Sequence, residues 1–242
     1  MLTLEQEFKQ GVSKLNRGKP AQSLTYFKRC LKIDPHFISP YVNIAAALVY
    51  LKKYGLAEKY LRKALKTEPK NETVLFNLGL TLNATYKVRQ ALAVFTKLVG
   101  VSPKNDSAFN ELGVTQNSLG HTQKAVNAFV RALGINDKNT LALYNLGRTL
   151  SLAGKTREAL PLLKKAFDLN PKDSKSASFL FSISRSNFDW KNARKYSSIL
   201  NKLTNKELVE GVKTGESPWV NITRVADAKL NQKVARSWSD NI

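Results

Sequence analysis

The chain has 242 residues, 43% of them hydrophobic, and its 39 Lys+Arg against 18 Asp+Glu give a formal net charge of +21 at pH 7. It is long enough to bury a continuous core, yet no run of about 18 apolar residues offers a membrane span. Cys30 is the only cysteine, which excludes an internal disulfide, and the opening MLTLEQEFKQ carries glutamates where a secretory signal needs a basic and then an apolar stretch; a reducing cytoplasm is the expected compartment.

The first predicted element is a helix pair over residues 4–37, with Gly11 on its first helix, Ser23, Phe27 and Cys30 on its second, and Pro35 after it. The pattern returns over 38–71 as Ala45, Ala57, Leu61, Ala64 and Pro69, and over 72–105 as Gly79, Ala91, Phe95, Leu98 and Pro103. It continues over 106–139 as Gly113, Ala125, Phe129, Ala132 and Asp137, and over 140–173 as Gly147, Ala159, Leu163, Ala166 and Pro171. Corresponding positions keep one constant spacing throughout, as the series Pro35, Pro69, Pro103, Asp137, Pro171 makes plain. Helices approach closely only where a bulky side chain is missing, so the Gly and Ala positions mark a crossing within each pair. Proline, with no N–H and a fixed φ, sits where a helix has ended.

A fixed period of about 34 residues is the signature of tetratricopeptide repeats, each a pair of antiparallel helices. The expected fold is all-α: a right-handed tetratricopeptide-repeat superhelix, or α-solenoid, in which each repeat touches only its neighbours. A sixth repeat over 174–207 is degenerate, with Phe181 at the small position and Ser197 at the aromatic one. Residues 208–242 leave the frame as a helical extension. There Asp227 can cap a helix, and Ala226, Leu230, Val234 and Trp238 form an apolar stripe. That stripe either packs back on repeat six or awaits another surface.

In this repeat class, first-helix positions 2, 5, 6, 9, 12 and 13 line a concave groove for extended segments. Position 6 reads Lys9, Asn43, Asn77, Glu111 and Asn145; position 5 reads Phe8, Val42, Phe76, Asn110 and Tyr144. An asparagine offers a donor and an acceptor, so a series of them can hold a peptide backbone without reading its side chains. The alternative is that these amides serve packing within the repeat. The candidate groove residues are Asn43, Asn77, Asn110, Asn145, Phe76, Tyr144 and Arg148. Position 9 reads Val12, Ala46, Leu80, Val114 and Arg148. Arg148 alone cannot make the two-carboxylate clamp with which some chaperone adaptors grip acidic carboxyl termini.

The stretch Phe37-Ile-Ser-Pro-Tyr-Val-Asn-Ile-Ala-Ala-Ala-Leu-Val49 resembles repeats of nucleocytoplasmic protein O-linked N-acetylglucosaminyltransferases. Phe188-Asp-Trp190, Gly215-Glu-Ser-Pro-Trp219 and the helix Ala226 to Trp238 resemble the junction between repeats and catalytic region in that family and its SPINDLY-type relatives. The resemblance implies that Asn43, Asn77 and Asn145 are rungs of an asparagine ladder, interrupted by Glu111. It also implies a recognition arm for a UDP-sugar-dependent enzyme, whose catalytic region would lie outside this sequence.

The chain itself offers no reaction centre. His36 and His121 fall in separate loops without a nucleophile or carboxylate at motif spacing, and neither a phosphate loop nor a metal-ligand cluster is legible. No cofactor is expected. The expected partner is an extended protein segment, bound either in the glycosyltransferase setting or by a free-standing adaptor. A weaker alternative is nucleic acid or anionic lipid, drawn by basic second helices such as that bearing Lys59, Arg62, Lys63 and Lys66.

Overall fold

The computed structural model describes residues 2–239. Among them every regular element is a helix, and the chain divides into two compact units, Met1–Ala128 and Phe129–Ile242. The first helices of the pairs are α1 (Leu4–Asn16), α3 (Ile38–Tyr50), α5 (Glu72–Ala84), α7 (Asp106–Ser118), α9 (Thr140–Leu152) and α11 (Ser174–Ser186). The second helices are α2 (Pro20–Ile33), α4 (Tyr54–Thr67), α6 (Val88–Val101), α8 (Thr122–Ile135), α10 (Thr156–Leu169) and α12 (Trp190–Val209). Both series start at one constant interval, the period read from the sequence.

Side-chain caps mark where the first helices begin, except at α3, whose N-cap Phe37 makes no side-chain bond. Thr3 makes a capping box with Gln6 at α1. Asn71, Asn105, Asn139 and Asp173, themselves spaced by the repeat, accept from the backbone N–H groups of Val74, Ala108, Ala142 and Ser176. The first helices end at a residue of positive φ, again on the repeat: Gly18, Lys52, Tyr86, Gly120, Gly154 and Phe188. The lysines that open α2, α4, α6 and α10 make no side-chain cap, and those helices are held by packing.

In the first unit that packing is apolar and close. A Cβ built on Gly11 would lie 2.6 Å from the ring of Phe27, and one on Gly79 would overlap the ring of Phe95. Phe8 and Phe76 lean on the same two rings at 5.8 and 6.2 Å between centroids. Tyr41, Ile44, Leu61, Leu75, Leu78 and Leu98 complete a buried core. Cys30 is also buried, its thiol toward the Leu4 carbonyl at 3.8 Å. In the second unit Gly147 approaches Leu163 in the same way, a Cβ there standing 2.7 Å from Leu163 Cγ.

Repeat six departs from the pattern. Its second helix runs on to Val209, and two further helices follow, α13 (Pro218–Arg224) and α14 (Ala228–Ser239). The tail helix starts later than the sequence suggests, at Ala228 in place of Ala226. Asp227 caps it, accepting from the N–H groups of Lys229 and Leu230, and this leaves Ala226 outside the stripe. Val234 is fully buried and α14 packs on α12. Among the described residues no helix is long and apolar enough to cross a membrane.

Candidate functional site

In the first unit a cavity of about 630 Å³ is lined by Phe8, Val42 and Asn43 together with Asp34, His36, Ser39, Glu68 and Thr73, whereas Phe76, Asn77 and Asn110 lie outside its lining. Asn43 donates its Nδ2 to the carbonyl of Ser39 at 2.9 Å, and Asn77 donates to that of Thr73 at 2.8 Å. Each amide is therefore turned back onto its own helix. Oδ1 and the second Nδ2 hydrogen remain for a ligand, so the donor–acceptor pair expected from the sequence is kept. Phe76 is half-buried with its edge on Phe95.

Asn110 does not belong to an exposed lining. It is 2% exposed, and its Nδ2 meets Glu111 Oε1 at 3.1 Å. A polar group at a position that elsewhere holds Phe, Val or Tyr has been drawn into the interior and satisfied there. Burial pushes the Glu111 carboxyl above the usual carboxylate range, and the Asn110 hydrogen bond only partly offsets this.

In the second unit Tyr144, Asn145 and Arg148 do come together. With Lys175, Ser178, Phe179 and Ser182 of α11 they line a cavity of about 640 Å³. Tyr144 and Phe179 meet edge to face at 5.7 Å. Burial pushes the Tyr144 hydroxyl up to about 12, against the pull of nearby Arg148 and with a push from Asp173, so it stays a neutral donor. The α11 residues occupy positions 2, 5, 6 and 9 of the degenerate repeat. The lining rule, carried one repeat further, would have found them.

The far wall comes from the extension. Lys213, Thr214, Gly215 and Trp238 complete the cavity, with Lys213 Nζ 4.2 Å from the centroid of the Trp238 ring. The Trp238 indole N–H is directed at the carbonyls of Thr214 and Glu216, both at 3.1 Å. Gly215 has a steric requirement: a Cβ there would run into Ser174. Its N–H donates to Glu207 Oε2 at 3.1 Å.

A buried ion pair fastens this wall. Arg224 donates Nε and Nη2 to the two oxygens of Glu216, both at 2.6 Å, and neither side chain is more than 1% exposed. Glu216 also accepts from Thr204 Oγ1 at 2.8 Å and Asn221 Nδ2 at 3.1 Å. Arg224 Nη1 reaches the Ser197 carbonyl at 3.2 Å and the Asn201 side chain. A fork-on-fork pair with its remaining donors and acceptors satisfied is the arrangement in which a buried charge pair holds. No periodicity announces it in the sequence. Among the described residues, no three His, Cys, Asp or Glu side chains stand close enough to hold a metal ion.

The tetratricopeptide repeat family matches the chain at residues 38–71, 106–139 and 141–173. A comparison with curated protein sequences gives no match. Among solved structures, PilF of Pseudomonas aeruginosa is similar over 83% of this chain and 91% of its own, with a TM-score of 0.74 and 19% identity. MamA of Desulfovibrio magneticus RS-1 is similar over 69% of this chain and 95% of its own, with a TM-score of 0.63 and 21% identity. YrrB, a TPR protein described as having an unusual peptide-binding site, is similar over 70% and 87%, with a TM-score of 0.56 and 20% identity. The chain carries tetratricopeptide repeats and has their all-helical fold.

Proposed function

We propose that this chain is a protein-interaction scaffold that holds extended peptide segments along its first helices. The observation that carries the reading is the lining of the second unit, where an edge-on aromatic pair, amide and hydroxyl groups and cations share one cavity. That mixture suits a peptide, which offers both backbone hydrogen bonds and apolar side chains, better than a single small metabolite. A peptide-binding site in the structurally similar YrrB supports the same use of the fold. The single buried Cys30 is in keeping with a reducing cytoplasm.

An adaptor setting is supported by the extension, which packs back on α12 from within the chain and pairs its buried Glu216 with Arg224. The glycosyltransferase setting is supported by the sequence resemblance of residues 37–49 and of the junction; neither the family match nor the three neighbours is a glycosyltransferase. In either setting the groove is the working surface.

The test is fluorescence anisotropy of unstructured peptides against the wild type and an Asn77→Ala, Asn145→Ala double variant. Weaker binding across unrelated sequences is expected, at about 1 kcal/mol per lost amide, with thermal stability retained. Equal loss of binding and of folding would assign these amides to the repeat's own structure.

A further inference from the structure

We infer that the cavity between α9, α11 and the extension is a subsite for the carboxylate of an acidic peptide segment, with an apolar side chain seated beside it on Phe179 and Trp238. The inference rests on the groove reading above and names the chemistry the groove selects. Arg148, Lys175 and Lys213 all line this one cavity. No described carboxylate lies within ion-pair distance of any of them, although ion pairs form elsewhere in the chain.

The acids in the neighbourhood are already engaged. Asp173 caps α11 through the N–H groups of Lys175 and Ser176. Glu207 accepts from Ser174 and from the Gly215 N–H, and Glu216 is bound to Arg224. Three cations around one cavity repel one another, and an incoming carboxylate relieves that repulsion while gaining charge-assisted hydrogen bonds. Arg148 alone makes no clamp, but here its companions are Lys175 from the degenerate repeat and Lys213 from outside the repeat frame.

A peptide carboxylate fits better than a polynucleotide phosphate. Phe179 stands edge-on to Tyr144, and Lys213 already lies over the Trp238 ring. Base stacking needs open aromatic faces in a row along a basic track. Here the aromatic rings form one pocket closed off by the extension, with room for a side chain or two beside the charge.

The experiment titrates the full chain with two fluorescent peptides of equal length, one containing Glu and an aromatic residue, the other with each Glu replaced by Gln. Wild type is compared with a Lys175→Gln, Lys213→Gln variant, both of whose lysines are exposed, so folding is retained and checked by circular dichroism. The acidic peptide should bind the wild type roughly tenfold more tightly than its Gln counterpart, and the variant should abolish most of that preference. Trp238 emission should change on binding the acidic peptide. Equal affinity for the two peptides would overturn the carboxylate subsite and leave the groove reading standing, whereas no binding of either would overturn both. A duplex oligonucleotide that competes as well as the acidic peptide would assign the cations to polyanion binding instead.

Discussion

The repeats of Met1–Ala128 and the extension that ends the second unit are held by opposite means. In the repeats a glycine admits a phenylalanine ring, and the same apolar contact recurs along the array. In the extension the centre is a charged pair, Glu216 and Arg224, ringed by Thr204, Asn221, Asn201 and the Ser197 carbonyl. Apolar packing is divisible, and each lost contact has its own modest cost. A buried ion pair is not, since removing one partner leaves the other charged and dry. The two regions should therefore fail differently.

The sharpest way to break the comparison is Arg224→Leu. It leaves Glu216 buried without its counter-charge, at a cost of about 3–5 kcal/mol, more than the extension can absorb in place. The expected outcome is release of the extension with the repeats intact: early proteolysis near residues 210–217, a red shift of Trp238 emission, and helical content largely retained. Adding Glu216→Leu should recover much of the loss, because the apolar pair leaves no stranded charge. An Arg224→Leu chain that resists protease like the parent would show that the pair does not hold the extension.

The corresponding change in the repeats is Gly79→Leu, which forces a side chain into the Phe95 ring and should cost about 1–3 kcal/mol or more, read as a lower urea midpoint. Gly100 is its control. It lies inside α6 with open space around its Cα, so Gly100→Ala should stabilise by roughly 0.5–1 kcal/mol. If the two glycines respond alike, close crossing is not what selects Gly79.

These regions also differ in how far they can be read from sequence. A contact that recurs once per repeat leaves a series, so Gly11, Gly79 and Gly147 and their partners Phe27, Phe95 and Leu163 stand out against the rest of the chain. Asn71, Asn105, Asn139 and Asp173 leave a series too, although it is easily taken for ordinary loop polarity. The Glu216–Arg224 pair occurs once, over a spacing that no helix or strand period predicts. The subsite at Arg148 has the same obstacle, since Lys213 and Trp238 reach it through a turn whose path depends on Gly215 and on that ion pair. Asn110 shows the limit within the frame: position alone put it on the lining, whereas its surroundings bury it.

A smaller effect tests the turns. Gly18, Gly120 and Gly154 end their helices in the left-handed region at no steric cost, but Lys52, Tyr86 and Phe188 hold φ near 57–58° at the equivalent places. Tyr86 is 86% exposed, so its ring contributes little to the core. Tyr86→Gly should raise the melting temperature, by an amount corresponding to about 1 kcal/mol from relief of the left-handed conformation, less what the glycine adds to unfolded-state entropy. Gly120→Ala should lower it. A Tyr86→Gly chain that melts below the parent would mean that the ring packs on something its exposure does not reveal.

The finest test compares two acidic side chains, one with a counter-charge and one without. Glu216 is neutralised by Arg224, whereas Glu111 in the first unit has only the Asn110 amide at 3.1 Å, and burial raises its pKa. A carboxyl whose folded pKa lies above its unfolded one binds more protons in the native state. Stability from this group therefore falls as pH rises through the window between the two values, and the full cost persists above the folded value. Glu111→Gln keeps an acceptor for Asn110 and removes the titration. The other carboxylates titrate in both proteins and cancel in the difference. Urea midpoints of wild type and Glu111→Gln, measured from about pH 4 to about pH 8, should converge at the acid end and separate toward neutrality, with the variant the more stable. A constant difference would mean that Glu111 titrates as it does in the unfolded chain. A gap that opens the other way would mean that the carboxylate is stabilised where it lies, by a partner that burial alone does not disclose.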